Sequence, residues 1–197
     1  SEVVIVDGGS SDATPSLLRN DPYVKTITSP KGRCHQMNAG AAVATGDLLL
    51  FLHADSILPV PSSSWINEIT TALTDPHVVG GAFRLAIRPA SFFLKWISMM
   101  ANLRSVFLGL PYGDQGIFVR RDVFKRMGGY RNIPLMEDVE LIQRLKREGK
   151  TVLLKQVIVT SARRWERDGA IVSFRNGLLL ILYFLGVCPT RLARWYH

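Results

Sequence analysis

The stretch Val3-Val4-Ile5-Val6-Asp7-Gly8-Gly9-Ser10-Ser11-Asp12 decides the reading of this chain. Four consecutive β-branched residues make a strand buried on both faces. The glycines behind them make a turn whose backbone lets a ligand come close. Asp7 precedes that turn, so it points at the crevice beyond the carboxyl end of the strand, where open α/β sheets bind their ligands. Asp12 is placed to cap a helix starting near Thr14-Pro15, with proline in its first turn.

The same rhythm runs on. Val24–Thr28 reads as a second strand, and residues 32–45 place Met37, Ala41 and Ala44 at helical spacing, with Gly46 to end the helix. Residues 48–52 form the strongest strand, which ends at His53-Ala54-Asp55. A helix follows over 62–73, an alternating strand over 78–87, and an aromatic-rich amphipathic helix over 91–108. The loop Gly113-Asp114-Gln115-Gly116 leads into a strand at 117–119. Then come a short helix at 123–127, a helix over Glu137–Glu148, a strand at 151–159, and helices over 169–186 and 189–196. Strands alternating with helices predict an α/β fold with a mostly parallel central sheet. No linker divides the chain, so residues 1–197 are read as one domain, with 169–197 as a C-terminal helical extension.

Composition removes several function classes. The 197 residues are 47% hydrophobic and 20% charged, enough for a packed core and unlike a disordered chain. Two cysteines, Cys34 and Cys188, exclude a disulfide scaffold and a four-cysteine zinc module, and fit a reducing compartment. Neither a Gly-x-Gly-x-x-Gly fingerprint nor a P-loop is present, which removes the main support for hydride transfer. The net charge of +8 is unevenly spread. Residues 1–100 hold 7 Lys/Arg and 8 Asp/Glu, whereas residues 101–197 hold 17 and 8. The basic second half is either a solvated face or a surface for an anionic partner.

Taken in order, the run 3–12, then Lys31-Gly32-Arg33-Cys34-His35-Gln36-Met37-Asn38-Ala39-Gly40, then Leu52-His53-Ala54-Asp55, then Gly128-Gly129-Tyr130 with Glu137-Asp138 resemble the motif series of family 2 inverting glycosyltransferases. The variant Gly32-Arg33-x-x-Gln36-Met37-Asn38-Ala39-Gly40, with Gly113-Asp114-Gln115-Gly116 and Ser161-Ala162-Arg163-Arg164-Trp165, is most similar to the arsenosugar-biosynthesis branch of that family. The resemblance covers nearly the whole chain. It implies a GT-A fold, a nucleotide-diphosphate sugar donor, a hydroxyl acceptor, inversion at the sugar carbon, and a divalent metal, Mn2+ or Mg2+.

Carried over residue by residue, the resemblance gives Asp7 and the adjacent Gly8 to the donor nucleotide, with Arg33 and Asn38 lining the same side. Asn38 has the alternative of fixing backbone only. Asp55 matches the last residue of the family's D-x-D motif, which holds the metal against the donor diphosphate. His53 stands where the first aspartate usually does. It either ligates, tilting preference toward Mn2+, or merely packs and hydrogen-bonds. Asp138 matches the general base that takes the acceptor proton, and Glu137 orients the loop on the acceptor side; both carboxylates also suit a helix N-terminus. Asp114 and Gln115 fall in an acceptor-side loop. Arg164-Trp165 matches only the end of the Q-x-x-R-W motif of processive members, and Ser161 replaces the glutamine. That pair either meets the acceptor or forms a surface patch.

The rival reading is a basic protein without catalysis, bound to a membrane or to nucleic acid. No nucleic-acid module is recognisable, so nucleic acid is not expected as a partner. Residues 177–185 are strongly apolar between Arg175 and Arg191. They fall short of the roughly 20 residues needed to span a bilayer, and make either a core helix or an interfacial one. The expected location is cytoplasmic, with peripheral contact to the inner membrane face allowed and a homo-oligomer left open. Family members also begin with one further strand. By that resemblance the chain is expected to lack its first strand, to have residues 3–6 either open on one side or paired by another chain or a rearranged segment, and to bind donor poorly.

Overall fold

The computed structural model describes residues 2–14, 23–169 and 171–196. The helix expected to start near Thr14-Pro15 falls largely on residues 15–22, outside the described residues. Strand β1 (Val3–Asp7) pairs in parallel with β2 (Val24–Thr28), Val3 facing Val24 and Asp7 facing Thr28. These two strands form a small sheet of their own. Helix α1 (Arg33–Val43) then leads to β3 (Leu48–Phe51).

The second sheet has five strands. Besides β3 it contains β4 (Ser56–Ile57), β5 (Val78–Arg88), β6 (Ile117–Arg120) and β7 (Lys150–Ser161), in the order β3-β6-β5-β7-β4. Here the expectation of a mostly parallel sheet is corrected. Only β5 and β7 run parallel; β6 is antiparallel to both β3 and β5, and β4 is antiparallel to β7. An apolar run bounded by turns announces a buried strand but carries no signal of its direction, and β6 inserts in reverse between two earlier strands. Among the described residues β1 pairs with β2 alone, and β3, at the edge of its sheet, with β6 alone.

β5 was expected to alternate. Instead Val78 through Phe83 are all buried, because the strand lies in the middle of the sheet with helices over both faces. Its Gly80-Gly81 pair has a packing reason. A Cβ on Gly80 would collide with the Phe118 carbonyl, and one on Gly81 with the Val152 carbonyl. Two bare positions let the neighbouring strands close in on either side.

Period-2 alternation sends β6 side chains to opposite cores. Ile117 and Val119 join one cluster with Phe51, Val139 and Ile142, while Phe118 joins the other with Phe83, Ile97 and Ile158. The helices are α2 (Ser62–Ala72), α3 (Phe92–Leu108), α4 (Arg121–Arg126), α5 (Glu137–Glu148), α6 (Arg163–Asp168), α7 (Ile171–Phe184) and α8 (Pro189–Tyr196). Helix α6 was not foreseen. Leu179 of α7 and Leu192 of α8 are buried in the first cluster, so the C-terminal helices help close the main core.

Candidate active site

The carboxyl ends of β1 and β3 and the N-termini of α1 and α5 supply the polar residues. Asp7 ends β1, and its carboxylate is taken up by its own turn. Ser10 N donates to both oxygens at 3.1 and 3.2 Å, and Ser10 Oγ donates at 2.5 Å. Those bonds favour the charged form and hold Asp7 below the usual carboxylate range. Gly8 lies against the Gln36 amide, whose Nε2 donates to the Val6 carbonyl at 3.0 Å.

Asn38 resolves its two alternatives toward backbone. Its Nδ2 donates to Tyr130 O, and Tyr130 N donates to its Oδ1, both at 2.8 Å. The amide thus clamps the turn at 128–130 onto α1. Each end of its amide therefore has a partner in Tyr130, in keeping with the backbone-fixing alternative.

The acidic cluster forms where the loop before β6 meets the start of α5. Met136, the residue before α5, has φ 65°, a left-handed conformation uncommon for a side chain of its size. Asp138 Oδ1 accepts from Val139 N at 2.8 Å, and its Oδ2 accepts from Gly113 N at 2.6 Å. Gly113 is bare for a reason of space. A Cβ there would lie 2.8 Å from His53 Nε2 and 3.3 Å from Asp138 Oδ2. His53 of the β3 end, Gly113 of the loop and Asp138 of α5 therefore converge on one point.

Charge ties further residues to that point. Burial holds His53 below the usual histidine range; Arg33 adds to this, and Asp138 and Asp55 oppose it. Asp55 itself is exposed. Burial pushes the Asp114 carboxyl up to about 6, with Arg104 opposing and with Asp138 and Asp55 adding to the rise. Asp114 Oδ1 is shut from solvent and has no hydrogen-bond partner. Glu137, also buried, is raised by desolvation and by Asp138, while Arg33 Nη1 pairs with its Oε1 at 3.3 Å. Tyr112, beside the loop, is pushed up to about 12 by burial, and the Arg104 guanidinium stacks 3.4 Å from its ring centroid. Asp138 thus acts electrostatically on His53, Asp114, Glu137 and Tyr112, and Asp55 acts on His53 and Asp114.

Two expected site residues turn elsewhere. Gln115 is wholly buried. Its Oε1 accepts from Arg104 Nη2, Ser105 Oγ and Tyr112 N, and its Nε2 donates to the Phe83 carbonyl. It ties the loop to β5 and α3 and presents nothing to an acceptor. Trp165 packs on the second core cluster and donates through Nε1 to Ser173 Oγ at 2.9 Å, joining α6 to α7. Arg164 hydrogen-bonds the Tyr196 hydroxyl, with its guanidinium 4.9 Å from that ring's centroid. Burial, then Arg33 and Arg175, lower its pKa, so its charge is felt beside Arg33.

Sequence reasoning missed Gly113, Tyr112 and Arg104. Glycine before Asp114 was a visible signal for the first. Arg104 lies in an apolar helix and carried none.

Comparison with known proteins agrees with this fold. The profile described as Glycosyl transferase family 2 matches residues 1–128. The probable glycosyltransferase YdaM of Bacillus subtilis (strain 168) is 22% identical over 192 residues, which is 85% of this chain and 43% of that protein. Among solved structures, the mannosyltransferase PcManGT from Pyrobaculum calidifontis, in complex with GDP-Man and Mn2+, is similar with a TM-score of 0.66 at 20% identity, over 90% of this chain and 52% of that one. TarS 1-349 of S. aureus is similar with a TM-score of 0.55 at 14% identity, over 95% and 56%. The chain spans about half the length of these relatives. With the fold and the ordered motifs in agreement, the chain belongs to glycosyl transferase family 2 and has the GT-A fold.

Proposed function

We propose that the protein transfers a sugar from a nucleotide-diphosphate donor to a hydroxyl acceptor, with inversion and with a divalent cation. The observation that carries this reading is the convergence of His53, Gly113 and Asp138, with Asp55 and Asp114 close enough to perturb the same groups. The motif variant at 32–40 and the loop at 113–116 support assignment to the arsenosugar-biosynthesis branch.

Among the described residues no three His, Cys, Asp or Glu side chains form a ready-made cation cage. The residues present nevertheless fit a cation whose shell the donor completes. Asp55 is exposed, Asp114 Oδ1 lacks any partner, and both are hard oxygen ligands suited to Mn2+ or Mg2+. Asp55 and Asp114 would hold a cation whose charge would offset that on the departing diphosphate. The complex of PcManGT with GDP-Man and Mn2+ supports that choice of donor class and metal.

The chain's own residues do the rest. Asp138 takes the acceptor hydroxyl proton on the face opposite the leaving group. The Gly113 amide fixes its Oδ2, so one carboxylate oxygen is oriented before substrate arrives. His53, which burial holds below the usual histidine range, packs beside it. Arg33 and Arg164 offer guanidinium groups to phosphate oxygens. Asp7 and Gly8 meet the nucleotide, and Glu137 holds Arg33 in place. The test is a panel of nucleotide sugars screened by thermal shift with Mn2+, on wild type and Asp55→Ala. One donor should stabilise the wild type only when metal is present, and Asp55→Ala should lose that shift. An equal shift in both proteins removes Asp55 from the metal site.

A further inference from the structure

Helix α3 turns its more apolar side to water. Its inward stripe includes Leu94, Ile97, Ser98 and Ser105, and the two hydroxyls bond back to the Leu94 and Ala101 carbonyls. Its outward stripe holds Phe92, Trp96, Met99, Leu103 and Val106 at helical spacing, and Phe92 is 90% exposed. Helix α7 repeats the pattern with Ile171, Phe174, Leu178 and Ile181 facing out, Phe174 being 74% exposed. Trp165 of α6 meets the first turns of both helices. Trp165 lines a hollow with Phe93 and Leu94 of α3, and its indole donates to Ser173 of α7. Single exposed apolar residues are ordinary, but a patch of aromatics spread over two helices marks an interaction site.

Basic residues outnumber acidic ones around this face, where Glu166 lines the hollow beside Trp165. Helices α3, α7 and α8 contain no carboxylate; Arg104 turns inward to Gln115 and Tyr112, which leaves Lys95, Arg175, Arg191 and Arg194 as the cations counted here. Between β5 and α3 runs a groove of about 580 Å³. Arg84, Arg88 and Lys95 line it together with the apolar Met99, Leu103 and Val106, again with no acidic residue.

We propose that this face docks on the surface of an anionic phospholipid bilayer, the apolar stripes entering the acyl boundary and the cationic groove meeting phosphate headgroups. Apolar side chains backed by arginine and lysine fit such a surface. A second copy of the chain fits it poorly, because a two-fold contact sets a patch against itself and brings like charges together. The 17 residues of α3 and 14 of α7 fall short of the length a span requires. No described helix is long and apolar enough to cross a membrane. The helices therefore lie along the surface. The inference is independent of the sugar-transfer chemistry, since none of these side chains belongs to the acidic cluster.

The test is flotation of the whole chain with vesicles of phosphatidylcholine alone or mixed with phosphatidylglycerol, alongside sedimentation velocity without lipid. Wild type should float with the anionic vesicles and be left behind by the neutral ones. Phe92→Ser with Phe174→Ser should lower partitioning at least about tenfold, as loss of two buried aromatics demands. Arg84→Glu with Lys95→Glu should abolish the preference for anionic lipid. All four positions are exposed, so circular dichroism should show the fold intact. Absence of wild-type flotation, flotation indifferent to both double variants, or a dimer dissolved by the phenylalanine changes without any flotation would each overturn the proposal.

Discussion

The Gly113 amide donates a 2.6 Å hydrogen bond to Asp138 Oδ2, and the space where a Gly113 side chain would grow is already held by His53 and that same carboxylate. Backbone donor, acid and imidazole are packed around a missing methyl group. Gly113→Ala should therefore fold, yet displace either His53 or Asp138. Misplacement of a reacting group by about an ångström costs up to ~100-fold in rate. Steady-state kinetics should show kcat falling by about ten- to a hundredfold with the donor KM little changed.

Asp138→Asn retains the shape of the side chain and can still accept from Gly113, but it cannot take a proton. Turnover should fall by about 10²–10⁴-fold, the usual loss on removing a general base. Titration calorimetry with nucleoside diphosphate and Mn2+ should give unchanged donor affinity. Undiminished turnover with a genuine acceptor would take Asp138 out of the mechanism.

Gln115 separates scaffold from substrate contact. Gln115→Ala strips partners from the Phe83 carbonyl, the Ser105 hydroxyl and the Tyr112 amide, all inside the protein. Leaving such groups unpaired should destabilise the fold by roughly 2–4 kcal/mol, read by urea denaturation. The acceptor KM of the fraction that remains folded should stay within about twofold, whereas a side chain that touched acceptor would move it much further.

Asp114 should impose a pH dependence on the cation-free protein. Its folded pKa of about 6 lies above the ordinary carboxylate value, so between these values the folded state holds the extra proton. Its favourable contribution is complete below about pH 4 and is lost as pH rises through about 6. Asp114→Asn should cancel that slope and gain roughly 1–3 kcal/mol at pH 7 without metal. Denaturation curves collected from pH 4 to 7 for the two proteins should diverge in that sense. A constant difference across the range would show that Asp114 titrates normally.

The positions of β1, β2, β3 and α5 were legible from local pattern: β-branched runs, the glycine turn after Asp7, and acidic residues opening a helix that closes at Gly149. Such signals lie within one element and need no knowledge of neighbours. The ordered motifs likewise placed the chain in its family. What they could not settle was how the elements meet. The reversal of β6, the burial of Gln115 and the turning of Trp165 toward α7 all depend on partners distant in sequence. So does the site itself. Gly113 and Asp138 are 25 positions apart, and Arg33 and Glu137 are 104 apart. Periodicity told that α3 is amphipathic, but not that its outer side would be the more apolar one, because which stripe is buried is decided by the sheet it packs against. Local propensity determined the elements and their polar ends; only tertiary packing decided which of those ends share a buried, charge-coupled space.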